Sequence, residues 1–319
     1  MWLRQLRWTI LLWVCGGALL QAHGSSHPLA SAATSHWKWE PFVVWPLAAS
    51  AVLYAVGLRR LWARAGTGAG VARWQAACFA AGWLTMIVAL DSPVAWLSEI
   101  LFSVHMAQHT LLMLVAAPLL AFSQPLLVWA WALRPGSRTL VIRSVRRRPM
   151  LAAWHAVTSP LAVFLLQAAA LWLWHIPSWY EAALRMPLLH ALQHLCFVLA
   201  ASLFWWAMAY GRYGRRGYGL GVLYVFLTAI HSTVLGALLT TAPSVWYQAY
   251  TLPARQRHVD ALADQQLAGL LMWIPAGVIF IVLGLALFAA WLGESERRAG
   301  YGTVDALVQR AREVHPHAR

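Results

Sequence analysis

Charged side chains are scarce in this chain. Asp, Glu, Lys and Arg make up 11% of its 319 residues, whereas a soluble domain carries about 25%. Acidic residues are the scarcest, at 10 against 24 Lys plus Arg, and 61% of the chain is hydrophobic. This composition excludes an ordinary soluble domain and makes the lipid bilayer the first expected partner. The net charge of +14 lies in short clusters between apolar runs, which indicates topology determinants and no nucleic-acid partner.

Cysteine is also rare, and its spacing excludes two kinds of site. The three cysteines are Cys15, Cys78 and Cys196, and no two of them have CxxC spacing. The sequence therefore predicts neither a disulfide framework nor a thiolate zinc site. It also lacks HExxH, GxSxG, Walker and GxGxxG motifs, so we expect no enzyme.

Seven apolar runs are long enough to cross a bilayer, since a spanning helix needs about 20 apolar residues. They cover residues 42–62, 74–91, 97–122, 152–175, 187–210, 219–241 and 265–292. They predict an all-α, polytopic transmembrane bundle of seven spanning helices over residues 42–292. Residues 1–24 have the pattern of a signal peptide or an N-terminal anchor, residues 25–41 follow as an outer-face segment, and residues 293–319 form a tail.

Two shorter segments are expected to be helical without crossing the membrane. QPLLVWAWAL at 124–133 is too short to span, so we interpret it as interfacial or re-entrant. TVDALVQRARE at 303–313 predicts a short amphipathic helix in the tail.

Arginine marks every second connection between the runs. Clusters follow the first, third and fifth runs and recur in the tail, while the alternate connections hold few basic residues. Basic connections lie in the cytoplasm of membrane proteins. The pattern therefore places the C-terminus in the cytoplasm and residues 25–41 outside.

Histidine occurs in pairs inside two apolar runs, where a polar side chain is energetically costly. HMAQH at 105–109 and HALQH at 190–194 both read His-x-x-Gln-His, and both stand near the start of an apolar run. Histidines four apart on a helix share a face, and ionisable residues inside a membrane are functional by default. Helical rise places these pairs and one residue of the sixth run in the outer half of the bilayer, about 4–18 Å deep. We therefore predict one metal site from five residues: His105, His109, His190, His194 and His231.

Other polar and sulfur-bearing residues are expected around that site. Gln108 and Gln193 are predicted as hydrogen-bond partners of the ligands, and His175 ends the fourth run above them. Asp91, Glu99 and Asp264 would form an acidic mouth for a cation. Met113 and Met272 add soft thioethers. Imidazole suits Cu, Zn, Fe and Ni, and a thioether favours copper.

Three blocks carry a family resemblance. DSPVAWLSEILFSVHMAQHTLLMLVAAPLLAFSQP, LWLWHIPSWYEAALRMPLLHALQHLCFVLAASLFWW and DQQLAGLLMWIPAG together resemble the caa3-type CtaG family of cytochrome c oxidase assembly factors, over about residues 42 to 292. The resemblance implies a seven-helix protein of the bacterial plasma membrane that helps to build a haem–copper oxidase, with an oxidase subunit as its partner. The family pattern extends to His105, His109, His175, His190, His194 and Asp264, whereas His231 is added from depth alone.

The residues leave alternatives to copper delivery. Haem also uses histidines on facing helices, so a bis-histidine haem protein is one alternative. A metal-free scaffold for an oxidase subunit, with histidines serving helix packing, is another. A di-iron oxygenase is disfavoured, because this sequence lacks adjacent histidines and its pairs are predicted on the outer side.

Overall fold

The computed structural model describes residues 37–210 and 218–314, with side chains described as far as Arg297. Within these ranges the chain is helical and contains no strand. Six helices are long and apolar enough to cross a membrane, and one bent pair of helices makes a seventh span if it is counted as one. The predicted all-α, polytopic class is confirmed. The expected signal peptide or anchor at residues 1–24 lies outside the described residues.

The helices follow the apolar runs closely. In chain order they are α1 (Pro41–Ala65), α2 (Arg73–Leu90), α3 (Pro93–Leu97), α4 (Phe102–Thr110), a π-helical segment (Leu111–Ala116), α5 (Ala117–Phe122), α6 (Pro125–Ala132), α7 (Pro135–Val145), α8 (Arg148–Val157), α9 (Pro160–Trp174), α10 (Pro177–Arg185), α11 (Pro187–Tyr210), α12 (Tyr218–Thr240), a 3-10 turn (Gln248–Tyr250), α13 (Thr251–Gln256) and α14 (Ala261–Val314). Many of them begin at proline, whose fixed φ and missing N–H suit the first helical position.

The fourth span is broken. Residues 152–175 were expected to form a single helix, but α8 and α9 meet at 60°. Pro160 cannot donate a backbone hydrogen bond and its ring disfavours a helix through the preceding residue. Ser159 instead caps α9, its hydroxyl accepting from the amide of Ala162 at 3.4 Å. The two halves together still cover the predicted run.

The third span changes its helical pitch at its middle. Between α4 and α5, Leu111–Ala116 is π-helical, which frees backbone carbonyls from their usual partners. The indole of Trp205 on α11 donates to the carbonyl of Met113 at 3.0 Å. Such π-helical turns often lie at functional sites, and this one directly follows His109 and Thr110.

Helix α6 is buried in the bundle. It forms residues 125–132 of the QPLLVWAWAL segment, and Leu126, Val128 and Trp129 on it are at most 8% exposed. It lies close against α1, where a Cβ on Gly57 would come within 1.9 Å of the carbonyl oxygen of Val128. Only glycine permits this approach, so the backbones of α1 and α6 are in direct contact.

Helices α12 and α14 pack closely through small residues. A Cβ on Gly269 would lie 2.4 Å from the hydroxyl of Thr240 and 2.6 Å from the carbonyl of Gly236. Small residues at such contacts allow membrane helices to approach each other. The helix α14 then continues without a break to Val314, so the tail helix expected at 303–313 is the end of this long helix and not a separate element.

Candidate metal centre

Three histidine side chains meet between the third and fifth spans. His105 and His109 lie on successive turns of α4, and His194 lies on α11. Each offers one ring nitrogen, and these atoms all lie within 4.8 Å of one another. The side chains are 0%, 4% and 8% exposed, respectively. We call His105, His109 and His194 the histidine triad.

The rings of the triad face each other directly. The Nε2 atoms of His105 and His109 are 2.9 Å apart, and the ring centroid of His194 is 5.1 Å from that of His109 and 5.9 Å from that of His105. The spacing of four residues on α4 puts both of its rings on one face, as the sequence predicts.

A tyrosine fixes the orientation of His105. The hydroxyl of Tyr250 is 2.7 Å from Nδ1 of His105 and donates to the carbonyl of Ser98 at 3.2 Å. Burial raises the pKa of Tyr250 far above its usual value, so the phenol keeps its proton. Because that proton is donated to Ser98, the assignment that satisfies both bonds has His105 donating from Nδ1. Its Nε2 lone pair then points into the triad.

The tyrosine belongs to the connection between α12 and α14, which lies over the triad. Tyr180 on α10 places its hydroxyl 3.3 Å from that of Tyr250. Tyr247 donates to the carbonyl of His175 at 2.9 Å. Sequence reasoning missed these tyrosines because they lie outside both histidine motifs. Each of them is 70 or more positions away from α4 in the chain. The sequence signal for Tyr247 and Tyr250 is the aromatic character of the loop segment VWYQAY, and Tyr180 lies within the second block that carries the family resemblance.

Histidine 190 lies beside the triad. Its ring centroid is 4.3 Å from that of His194 and 5.1 Å from that of His105. It borders a cavity of about 30 Å³ that is also lined by Lys38, Glu40 and Gln108. Burial lowers the pKa of Lys38, whose ammonium pairs with Glu99. This small cavity connects His190 and His194 with polar groups at the end of the bundle.

The structure does not bring His231 into the triad. Its ring lies on α12 edge-on to Phe164 of α9, with centroids 5.5 Å apart, and it is absent from the group whose ligand atoms converge. The placement predicted for it was wrong, because depth along a helix fixes the height of a residue and not the direction in which it points.

The predicted acidic mouth is also corrected. Asp264 is 5% exposed and accepts from the amide of Phe102 at 2.7 Å and from the hydroxyl of Ser103. It therefore satisfies free amide groups at the start of α4. Asp91 is buried, and Glu99 is neutralised by Lys38. None of the three carboxylates is a free charge at an open entrance.

The glutamines do not bond to the histidines in the described residues. Gln108 donates to the carbonyl of Ala89 at 2.6 Å, near the C-terminus of α2. Gln193 is fully buried, and neither of its amide atoms has a partner among the described residues. The predicted role as hydrogen-bond partners of the ligands is wrong for Gln108 and has no contact to support it for Gln193.

Histidine 175 borders the triad from the other side. It ends α9, is 4% exposed, and its ring centroid lies 6.4 Å from that of His109. The expected position above the other histidines at the membrane surface is replaced by a buried one. Met113 and Met272 share a cavity with His109 and His175.

The fold and the site define a polytopic helical membrane protein with a buried histidine triad of metal-binding dimensions. A family model described as "Cytochrome c oxidase caa3 assembly factor (Caa3_CtaG)" matches residues 52–294. The chain belongs to this family, and the resemblance noted in the sequence is confirmed.

Three curated relatives are similar to this chain in sequence, and each is named as an uncharacterized protein. The chain is 26% identical over 235 residues to an uncharacterized protein of Mycobacterium leprae. It is 24% identical over 237 residues to uncharacterized proteins of Mycobacterium bovis and Mycobacterium tuberculosis. Each match covers 68% of this chain and 34% of the relative, so the chain spans about a third of the length of these relatives. No solved structure matches.

Proposed function

We propose that this protein binds copper at the histidine triad and presents it, within the membrane, to a subunit of a haem–copper oxidase. Copper is the cargo, and the protein acts as a carrier and not as an enzyme. The observation that carries this proposal is the convergence of three buried imidazoles within 4.8 Å in a member of an oxidase assembly family.

The donor set fits a single transition-metal ion. Imidazole nitrogens bind such ions at about 2.0–2.1 Å, so ligands around one tetrahedral ion lie about 3.3 Å apart. The separation of 2.9 Å between the two nitrogens on α4 and the 4.8 Å limit for the whole triad bracket that value. Small ring rotations therefore suffice, and imidazole nitrogens suit copper.

The surroundings of the triad support binding and release inside the membrane. The side chains are almost wholly buried, so water competes little for the ion. The tyrosine on His105 directs a ring lone pair towards the ion. The 30 Å³ cavity beside Lys38 and His190 offers a short route to the triad. The arginine pattern predicts that this end of the bundle faces outward.

A haem fits these surroundings less well than an ion. Pockets for ligands of drug size enclose about 300–1,000 Å³. Three cavities border a triad residue, and they measure about 30, 50 and 200 Å³. All are smaller than such a pocket, and the largest has His194 as its only histidine. Two of the rings are also in direct hydrogen-bond contact, which leaves no gap for a macrocycle between them.

The double variant His105→Ala/His109→Ala tests the proposal. We expect it to accumulate in the membrane, because each change removes a polar group from apolar surroundings. Cells that carry it should make oxidase apoprotein with low activity and deficient copper, and added copper should partly restore both. Oxidase activity and copper content per haem in isolated membranes provide the measurement.

Histidine 231 provides the matched control. It is a partly buried histidine on a spanning helix, outside the triad, so His231→Ala should leave oxidase copper unchanged. If the double variant accumulates like this control and the oxidase keeps its full copper and activity, copper delivery by the triad is wrong. The metal-free scaffold would then take its place.

A further inference from the structure

A second cavity borders the histidine triad at His109 and shares no lining residue with the small cavity near Lys38. It has a volume of about 50 Å³ and lies between the third, fourth and fifth spans and α14. Three methionines border it, one from α4, one from the π-helical segment and one from α14. These are Met106, Met113 and Met272. His109 and His175 border it as well. We call it the methionine cavity.

Two buried ring nitrogens at this cavity have no partner among the described residues. Nδ1 of His175 lies 2.7 Å from the carbonyl of Leu171, so that nitrogen carries the proton and Nε2 keeps a lone pair. Nε2 of His175 is buried and unpartnered. Nε2 of His109 faces His105, while its Nδ1 is likewise buried without a partner. A buried group without a partner is costly, and an ion bound in the cavity would give both nitrogens a partner.

The chemistry of the lining selects one class of ligand. Thioethers are soft donors and, with imidazole, favour Cu(I) over hard cations. Methionine is unbranched and flexible, so its sulfur can adjust to an ion without movement of the backbone. A water molecule needs about 10–15 Å³, and the methionine cavity is several times larger. An ion therefore enters without displacing a helix.

We propose that the methionine cavity is a second, softer site for Cu(I), which is filled from the histidine triad through His109. The inference rests on the proposed function, since the triad supplies the ion. His109 belongs to the triad and also borders the cavity, so a short ligand exchange moves the ion between them. Copper stays monovalent throughout, and only coordinate bonds form and break.

The two sites would serve different steps of copper transfer, namely uptake of the ion and its storage before release. The triad takes the ion on the side of the small cavity near Lys38. The methionine cavity meets the triad at His109 and is bounded by Phe204, Trp205 and Phe280 in the interior of the bundle. Cu(I) in thioether surroundings is protected from water, which suits an ion that waits for a partner subunit inside the membrane.

Titration of purified protein with Cu(I) under anaerobic conditions tests the second site. A colorimetric Cu(I) chelator serves as competitor, and Ag(I) serves as a redox-inert substitute. We expect two Cu(I) ions per wild-type chain, and one for the triple variant Met106→Leu/Met113→Leu/Met272→Leu. X-ray absorption at the copper edge should show sulfur and nitrogen neighbours in the wild type and nitrogen alone in the variant.

A matched control keeps the experiment specific. Met208 on α11 packs against the hydrophobic core and lines neither the methionine cavity nor the other cavities at the triad, so Met208→Leu should still bind two ions with sulfur in the signal. Leucine is close in volume to methionine, and such exchanges are well tolerated. If the triple variant does not accumulate, the wild-type stoichiometry and sulfur signal decide the question without it.

The outcomes separate the two proposals. One Cu(I) per wild-type chain with nitrogen neighbours only would overturn the second site and leave the triad in place. No bound Cu(I) in the wild type would overturn both. Two ions in wild type and triple variant alike would place the second ion elsewhere and refute the methionine cavity.

Discussion

The two His-x-x-Gln-His motifs have the same spacing but different surroundings. In the first, His105 and His109 are both buried members of the triad. In the second, His194 joins the triad, while His190 lies at the small cavity beside Lys38. The first motif lies beneath the connection that carries Tyr250, whereas His190 lies in the first turn of α11. The same spacing places the histidines of each motif on one face of their helix. The elements that pack against that face then give the two motifs different surroundings.

The glutamines show the same contrast. Gln108 donates to the carbonyl of Ala89, one of the last carbonyls of α2, which lack partners within their own helix. Gln193 holds a buried amide with no partner among the residues described. One glutamine therefore fastens two helices together, and its counterpart carries an unsatisfied group next to the triad.

The largest expected effect separates the two histidines of the second motif. His194→Ala removes a triad ligand, so Cu(I) affinity should fall by more than the 10–100-fold that is typical of losing an outer partner. His190→Ala should leave the equilibrium affinity almost unchanged and slow the loading of the ion. Competition titration measures the affinity, and stopped-flow mixing measures the loading rate. Equal losses of affinity for both variants would make His190 a ligand and end the distinction.

A smaller effect on Cu(I) affinity is expected at Tyr250, which bonds to a histidine of the first motif. Tyr250→Phe removes the acceptor for Nδ1 of His105, so Cu(I) affinity should fall by about 10–100-fold. Tyr247→Phe is the control, because its hydroxyl bonds to a backbone carbonyl and to no histidine ring. Competition titration of both variants provides the measurement. An unchanged affinity in Tyr250→Phe would show that the tyrosine does not orient the ligand.

The smallest effect concerns the two glutamines. Gln108→Leu should lower the free energy of unfolding by about 1 kcal/mol, the net value of one hydrogen bond. Gln193→Leu should raise it by about 1 kcal/mol, because an unpaired buried amide costs about 1–3 kcal/mol. Thermal unfolding of both variants in the same detergent shows whether each substitution raises or lowers the stability of the protein. A loss of stability in Gln193→Leu would reveal a partner for that amide.

Much of the fold follows from apolar run length. Six of the seven predicted spans are long helices, and the seventh is the bent pair α8 and α9. Run length is decisive because every backbone polar group in lipid must be satisfied within a helix. The break at Pro160 and the π-helical turn at Leu111–Ala116 were missed, although the proline was visible in the sequence. The π-helical turn depends on contacts such as that of Trp205, which run length does not record.

The sequence by itself determined that the histidines of each pair share one face of a helix, since they are four residues apart. Only the tertiary structure decided which histidines meet. His231 has a suitable depth but faces Phe164, whereas Tyr250 is distant in the chain and touches His105. A helix that is apolar on all sides carries no periodic signal for its rotation. The packing of neighbouring helices sets that rotation, and with it the composition of the site.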